Sequence, residues 1–480
     1  MSSSAVATRP RPTSTPMRSP ELLPVALRTR RAVLLLLLTL VLPGGAQVMA
    51  GNRRLGRIGL RVWLSALTAG VVFALVALLD RRLALSLATS GWLLLAVALL
   101  LVLGALSWPL FFADAWRLGR PSLQSLAARR GIAVLAASLV LLTSGPMAYA
   151  AQQVWVGRDV LAGVFGGEDV GAARDGRYNV LLLGGDADKD RDGTRPDSLT
   201  LVSIDAKTGQ SVLFSFPRNM ENIPFPVDSP MHRVLPNGFD CGDDCLLNAV
   251  YSYAAERKGI YPPEVSDPGA QATKDAVAAI TGLTVDYYVL IDLRGFRDLV
   301  DAMGGLRIDV TRRVPIGGGT SPISGYIPVG KQRLDGYHAL WFARSRSGSS
   351  DYERMARQRC TMTAMLAQMD PQTVLLKFQD IATASEQVVS TDIPQSELGT
   401  LTDLALRARS QTVSSVQFVP PLIRPVRPDF ALIRRTVQSA LAPATKQNVA
   451  AKPASAGNSA VGNPTPASGP VDARSVCSAG

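Results

Sequence analysis

The sequence predicts an α/β fold, a layered αβα extracytoplasmic domain preceded by an all-α multispan membrane region. Three observations predict it. Residues 1–151 contain several apolar runs of about 20 residues, the length of a helix that crosses a bilayer. From Tyr178 onward, short branched-apolar runs alternate with helical patterns, the mark of a sheet covered by helices. After about Leu441 the chain turns to Ala, Pro, Ser, Gly and Asn, which cannot bury a core and predicts a disordered tail over 441–480.

Taken in order, residues 1–31 read as a disordered cytoplasmic tail. Ala32–Ala50 is apolar but broken by Pro43-Gly44-Gly45, and reads as a re-entrant segment over 32–50. Full spans follow at about Gly59–Leu79, Ser90–Phe112 and Gly131–Ala151, with Pro109 tolerable in a membrane helix. Arginines flank them in three clusters: Arg28, Arg30 and Arg31; Arg53, Arg54, Arg57 and Arg61; and Arg117, Arg120, Arg129 and Arg130. Positive charge marks the cytoplasmic side. Keeping all three clusters inside makes the broken segment dip and return, and puts everything after Ala151 outside the plasma membrane. Only Arg81 and Arg82 fall on the wrong side. A four-span alternative would need an arginine-rich N-terminus outside or the large domain inside. The further spans argue against a cleaved signal peptide. Residues 152–177 read as a linker.

The formal charge is +12, from 50 basic and 38 acidic residues, and the excess is nearly all arginine. There is no long basic block and no zinc-finger or RNA-recognition signature, so nucleic acid is not an expected partner. An anionic membrane surface or a phosphorylated ligand fits the charge at least as well. All four cysteines, Cys241, Cys245, Cys360 and Cys477, follow the last span, as disulfides in an oxidising compartment would. Cys241 and Cys245 are spaced to close a small loop, leaving Cys360 to pair with Cys477. A zinc site is the competing reading, but only His232 and His338 would assist and neither has useful spacing.

In the domain over 178–440, strands are expected at Tyr178–Leu183, Ser198–Ile204, Ser211–Phe216, Tyr287–Ile291, Leu306–Val310 and Ala339–Phe342. Helices are expected at Leu246–Glu256, Gln271–Ala279, Leu293–Met303, Asp351–Gln368 and Gln395–Arg407. The acidic stretch GDADKDRDGTRPDS after the first strand resembles a calcium loop at Asp188, Asp190, Asp192 and Gly193. An EF-hand starting at Asp188 needs a bidentate glutamate at its twelfth position, which here is Leu199, and it should leave a helix rather than a strand. The middle acids read as a solvated turn. Asp186 and Asp197 differ, because they stand at the ends of two adjacent strands.

There is no G-x-S-x-G elbow, and two isolated histidines do not suggest a Ser-His-Asp triad. Gly317-Gly318-Gly319 lacks the Lys-Ser/Thr of a Walker A motif and reads as a loop. Arginine and aspartate remain. Phe216-Pro217-Arg218-Asn219 puts Arg218 at a strand end. If the strand at Ala339–Phe342 continues, Arg344 and Arg346 share a face. Ser350 and Glu353 have capping-box spacing for a helix on which Asp351, Arg354 and Gln358 share a face. Convergent arginines with paired carboxylates suit a pyrophosphate held with Mg²⁺. The bland reading of each arginine is a surface salt bridge, such as Arg354 with Asp351.

The segments NVLLLGGDADKDRDGTRPDSLTLVSID, SVLFSFPRN, LNAVYSYA, VDYYVLIDLRGFRDLVDAMGGLRIDV and IPVGKQRLDGYHALWFARSRSGSSDYERMARQRC resemble the LytR-CpsA-Psr family in order and spacing, from about Tyr178 to Met369. The resemblance implies a membrane-anchored, Mg²⁺-using enzyme of the bacterial envelope. Such an enzyme transfers a glycopolymer phosphate from a polyprenyl-pyrophosphate carrier onto peptidoglycan, typically at a muramic-acid hydroxyl. By position, Asp186 and Asp197 match the family's metal-site aspartates, with Arg195 beside the second. Arg218 matches the arginine of its Pro-Arg-Asp motif; Arg344, Arg346, Arg354 and Gln358 match its pyrophosphate-contacting set; Asp351 matches an acid of the same site. Asn219 departs from the family, which has aspartate there. The multispan N-terminus is more elaborate than the usual single anchor, and the cysteines and arginine bias look actinobacterial. Asp186 and Asp351 are the two candidates for taking the proton of an attacking hydroxyl, and the helix Leu293–Met303 is a candidate cover for the lipid tail. A polyprenyl-pyrophosphate phosphatase and a non-catalytic lipid-binding regulator are the rival readings.

Overall fold

A computed structural model describes residues 21, 24–165, 173, 175–185, 195–257, 259–318, 321–368, 389–411, 413–442 and 471–472. The chain divides into two compact units, Met1–Asp159 and Val160–Gly480.

The first unit is helical: α1 (Val25–Val41), α2 (Gly45–Ala50), α3 (Arg53–Leu79), α4 (Arg81–Thr89), α5 (Gly91–Leu118) and α6 (Leu126–Val164). Three of these, α3, α5 and α6, are long and apolar enough to cross a membrane. The chain breaks after α1 because Gly44 takes φ +94°, which side-chain-bearing residues rarely adopt. On the α1 side of the break, Arg31 donates to the Leu118 carbonyl at 2.9 Å. Beyond it, the Asn52 amide donates to the Asp114 carboxylate at 3.3 Å. Both flanks therefore lie beside the same end of α5. Two boundaries differ from the sequence reading. Residues 25–31, expected in a disordered tail, are the start of α1, and residues 152–164, expected as linker, continue α6.

The second unit is built on one mixed sheet. Its strands are β1 (Arg177–Gly185), β2 (Pro196–Asp205), β3 (Ser211–Phe216), β4 (Tyr287–Ile291), β9 (Val389–Thr391), β10 (Ser414–Gln417) and β11 (Val471–Asp472), in the order β11-β10-β3-β2-β1-β4-β9. The hairpin β1–β2 and its neighbour β3 are antiparallel, while β4 and β10 run parallel to β1 and β3. Successive side chains on a strand point to opposite faces. Accordingly Leu181 and Leu183 enter one core with Phe214 and Phe216, against α8 (Ala249–Glu256) and α9 (Pro268–Thr281). Val180 faces the other side, with Leu398 and Leu404 of α13 (Leu398–Ala408), so helices cover both faces. The αβα layering expected from the sequence is the observed fold.

A short helix α7 (Pro230–Val234) precedes α8, and α14 (Phe430–Leu441) packs on α9. Beside the main sheet, α10 (Leu293–Ala302), α11 (Gly336–Arg344) and α12 (Asp351–Gln368) enclose a second core. With them lie two small antiparallel pairs, β5 (Leu306–Val310) with β8 (Gly330–Leu334) and β6 (Val314–Gly318) with β7 (Ser321–Ile327).

Two expectations are corrected here. Ala339–Phe342 is helical, within α11, because the Asp335 carboxylate caps the helix by accepting the His338 N–H at 2.8 Å. Val471–Asp472, in the expected disordered tail, pairs with β10.

Candidate functional site

The carboxyl ends of β1, β3 and β4 and the amino end of β2 meet at one margin of the sheet, since Gly184 pairs with Ser198 and Ile291, and Leu199 with Phe216. Crevices beyond strand carboxyl ends are where α/β folds place ligands. A cavity of ≈ 880 Å³ opens there. The β1–β2 register slips between Gly184 and Gly185. Such a bulge bends the strand and ends its pairing.

Of the residues singled out in the sequence, Arg195, Asp197, Arg218, Arg344, Arg346, Arg354 and Gln358 all line this cavity. They come from the starts and ends of several elements. Arg195 precedes β2 and Asp197 lies within it, Arg218 follows β3, Arg344 ends α11, and Arg346 lies between α11 and α12. Arg354 and Gln358 sit one turn apart on α12, whose start carries the expected capping box. There Glu353 N–H donates to Ser350 Oγ at 3.2 Å, and Ser350 N–H donates to Glu353 Oε2 at 2.8 Å.

Asp197 is the hub. Its Oδ1 accepts from Arg218 Nη1 at 2.6 Å, its Oδ2 from Arg346 Nη2 at 3.0 Å, and its backbone carbonyl from Arg354 Nη1 at 3.3 Å. Arg354 is only 2 % exposed and spends two more donors, Nε and Nη2, on Asp351 Oδ1 at 3.0 and 2.8 Å. Asp351 itself is not among the cavity-lining residues; it stands behind Arg354 and orients it. Burial lowers the Arg346 pKa, the Asp197 carboxylate opposes that shift, and Arg218 and Arg354 add to it. A dianion entering among these guanidiniums would relieve their mutual repulsion.

The same wall is apolar elsewhere. Leu182 and Leu183 of β1, Leu293 and Phe296 of α10, Trp341 of α11 and Met362 of α12 line the cavity with the arginines. Helix α10, expected from the sequence as a candidate cover for an apolar tail, therefore contributes to this wall.

Three contributors were not singled out in the sequence. Asp292 lines the cavity and caps α10, accepting the Gly295 N–H at 2.6 Å; burial raises its pKa against that bond. The cap spacing of Asp292 before an amphipathic run was its signal. Arg357 reaches back to the link between α11 and α12, donating to the Phe342 carbonyl at 2.8 Å, to the Ser345 carbonyl, and to Ser349 Oγ at 3.2 Å. It thereby fixes the segment that carries Arg344 and Arg346. Asn248, the third, sits in the wall beside Arg218.

Asp186 lies outside the described residues, as do Asp188, Asp190 and Asp192. Leu199, the twelfth position of the would-be calcium loop, is a buried residue of β2, 1 % exposed. Arg344 and Arg346 do not share a strand face; Arg344 stacks over the Trp341 ring at 5.2 Å on α11. Asn219 is exposed and is not among the cavity-lining residues. Cys241 and Cys245 form a disulfide. Cys360 is disulfide-bonded as well, while Cys477, its expected partner, lies outside the described residues.

Comparison with known proteins places the chain in a family. The cell wall biosynthesis protein LcpA of Corynebacterium glutamicum is 28% identical over 268 residues, covering 50% of this chain and 49% of that protein. The polyisoprenyl-teichoic acid–peptidoglycan teichoic acid transferase TagV of Bacillus subtilis is 26% identical over 236 residues, covering 46% of this chain and 51% of that protein. The chain thus spans about half the length of these curated relatives. The crystal structure of B. subtilis TagV aligns with a TM-score of 0.39 at 24% identity, over 55% of this chain and 97% of that one. The LytR_cpsA_psr family profile matches residues 159–421, more than half of the sequence and all of the cavity-lining residues, and the chain belongs to that family.

Proposed function

We propose that this chain is a membrane-anchored phosphotransferase that moves a glycopolymer phosphate from a polyprenyl-pyrophosphate carrier onto peptidoglycan. One observation carries the reading: a single cavity brings Arg218, Arg346 and Arg354 around Asp197 and also has an apolar stretch of wall, from Leu182, Leu183, Leu293, Phe296, Trp341 and Met362. An amphiphile with a phosphate head and a hydrocarbon tail matches that wall. The activity stated in the names of TagV and the TagU proteins supports it.

In this reading, an acceptor hydroxyl attacks the sugar-linked phosphorus. A new O–P bond forms, the bond to the lipid phosphate oxygen breaks, and polyprenyl phosphate leaves with the electron pair. Arg218, Arg346 and Arg354 face the charge that grows on the leaving phosphate, the term that dominates phosphoryl transfer. Asp197 holds two of those guanidiniums in place before the substrate arrives. The hydroxyl proton goes to a carboxylate, for which the sequence offers Asp186, next to the cavity-lining Gly185, and Asp351, which is paired with Arg354. Magnesium is held by one or two carboxylates together with phosphate oxygens rather than by an all-protein cage. Asp197, on the cavity wall, is the described carboxylate that would contribute, exchanging a guanidinium for the ion; Asp186 is proposed beside it from the sequence alone, and Mg²⁺ bound there would neutralise phosphate charge. The proposed setting is a multi-pass plasma-membrane protein with the second unit outside.

The test uses the full chain in detergent with a sugar-labelled polyprenyl-pyrophosphate oligosaccharide and a peptidoglycan fragment, followed by mass spectrometry. Label is expected on the fragment, lost with EDTA and reduced at least about 100-fold in Asp197→Ala, which frees two arginines at once. Label released only to water would point to a phosphatase. Binding without turnover would point to a regulator; Asn219, the one residue in favour of that reading, lies away from the cavity wall.

A further inference from the structure

An ionised pyrophosphate diester only accepts hydrogen bonds, and the guanidiniums of the cavity only donate them. Asn248 has a wall group of the opposite polarity. The residue is 7 % exposed, lines the cavity, and its Oδ1 is buried without a hydrogen-bond partner among the described residues. A buried acceptor left unpaired costs about 1–3 kcal/mol. Pyrophosphate cannot relieve that cost, because it has no proton to give.

The residue is held firmly where it stands. Its N–H donates to the Arg218 carbonyl at 3.1 Å, and the preceding Leu247 N–H donates to the Met220 carbonyl at 2.8 Å. Asparagine at a helix start ordinarily caps the first turn with its side chain. Asn248 is the N-cap of α8 yet makes no side-chain cap bond. A second wall oxygen, Ser345 Oγ, belongs to the residue between Arg344 and Arg346, 1 % exposed and also without a partner among the described residues. The Ser345 hydroxyl can donate to a phosphate oxygen as well as accept, whereas Asn248 Oδ1 only accepts, so it is Asn248 that marks a place for a ligand group that donates a proton.

We propose that Asn248 reads a saccharide hydroxyl: its Oδ1 accepts a hydrogen bond from a sugar O–H held next to the pyrophosphate. The assignment rests on the phosphotransferase reading above and adds to it a recognition element for the sugar. The hydroxyl belongs either to the first sugar of the carrier-linked substrate or to the attacking acceptor, and the experiment separates the two.

The full chain in detergent is titrated with a short-chain polyprenyl pyrophosphate carrying one sugar, and with the same pyrophosphate lacking it. If the carrier's sugar is read, Asn248→Ala weakens binding of the sugar-bearing lipid about 5- to 100-fold and leaves the sugar-free lipid unchanged. Asn248→Asp, which keeps acceptor oxygens, restores the preference. If the acceptor is read, both lipids bind as in the wild type. The KM for the peptidoglycan fragment then rises by a similar factor in Asn248→Ala and recovers in Asn248→Asp. Equal losses for both lipids would reduce Asn248 to a support for Arg218 and overturn the proposal, as would no change in either measurement. A wild type that prefers the sugar-bearing lipid but transfers nothing overturns the transferase and leaves Asn248 to the binding comparison. A wild type that binds neither lipid overturns both.

Discussion

Arg354 is a nearly buried cation at the cavity wall, 2 % exposed, and its tenure there depends on Asp351 one turn back. Removing one partner of a buried pair leaves an uncompensated charge, which costs more than the pair itself contributes. Asp351 is 38% exposed, so water reaches its side of the pair and moderates the penalty. Asp351→Ala is expected to destabilise the second unit by about 2 kcal/mol, read as a lowered thermal midpoint in detergent. Turnover is expected to fall as well, because Arg354 loses its aim. At this scale the sequence was informative wherever spacing on one element decides the outcome: Asp351, Arg354 and Gln358 follow from helical periodicity. It offered the pair Arg354–Asp351, which the structure shows, but was silent on the arginines that Asp197 serves. Asp197 and Arg346 are 149 positions apart, and only the sheet margin brings them together.

At the scale of elements, the strands with dense branched side chains were legible, and Ser211–Phe216, Tyr287–Ile291 and Leu306–Val310 appear with the expected bounds. Leu340-Trp341-Phe342 was misread as strand because bulky apolar density is common to both states; the Asp335 cap decides for helix. The pairs β5–β8 and β6–β7 were hidden because their partners are set by tertiary pairing. The small disulfide loop has a reach beyond its size. Cys245 is buried in the main core, and the chain leaves it directly for Leu247 and Asn248, whose N–H groups bond the segment after β3. Replacing Cys241 and Cys245 together by serine is expected to cost about 2 kcal/mol from loop entropy. Hydrogen exchange should show it first as faster exchange at the Leu247 and Asn248 amides.

At the scale of the whole molecule, the arginine clusters and the fold-back beside α5 make a single topological statement. If the segment before α3 dips and returns, the link between α3 and α5 faces outside and the link between α5 and α6 faces inside. Cysteine scanning with a membrane-impermeant maleimide checks this on intact cells. Ala88→Cys on α4 should label directly, and Ser122→Cys, between α5 and α6, only after permeabilisation. The reverse pattern would sink the three-span arrangement. Hydropathy made the three long apolar helices legible, whereas their exact ends were not, since α6 continues past the apolar stretch to Val164.

The sheet ends, on its β3 side, with a strand taken from the far end of the sequence. Val471–Asp472 covers the outer backbone of β10, with Ser414 opposite Asp472 and Ser415 opposite Val471. A bare strand edge is a template for pairing with another chain. Removing residues 443–480 would uncover that edge and is expected to invite copies to join side by side, read as a shift toward larger species in size-exclusion chromatography.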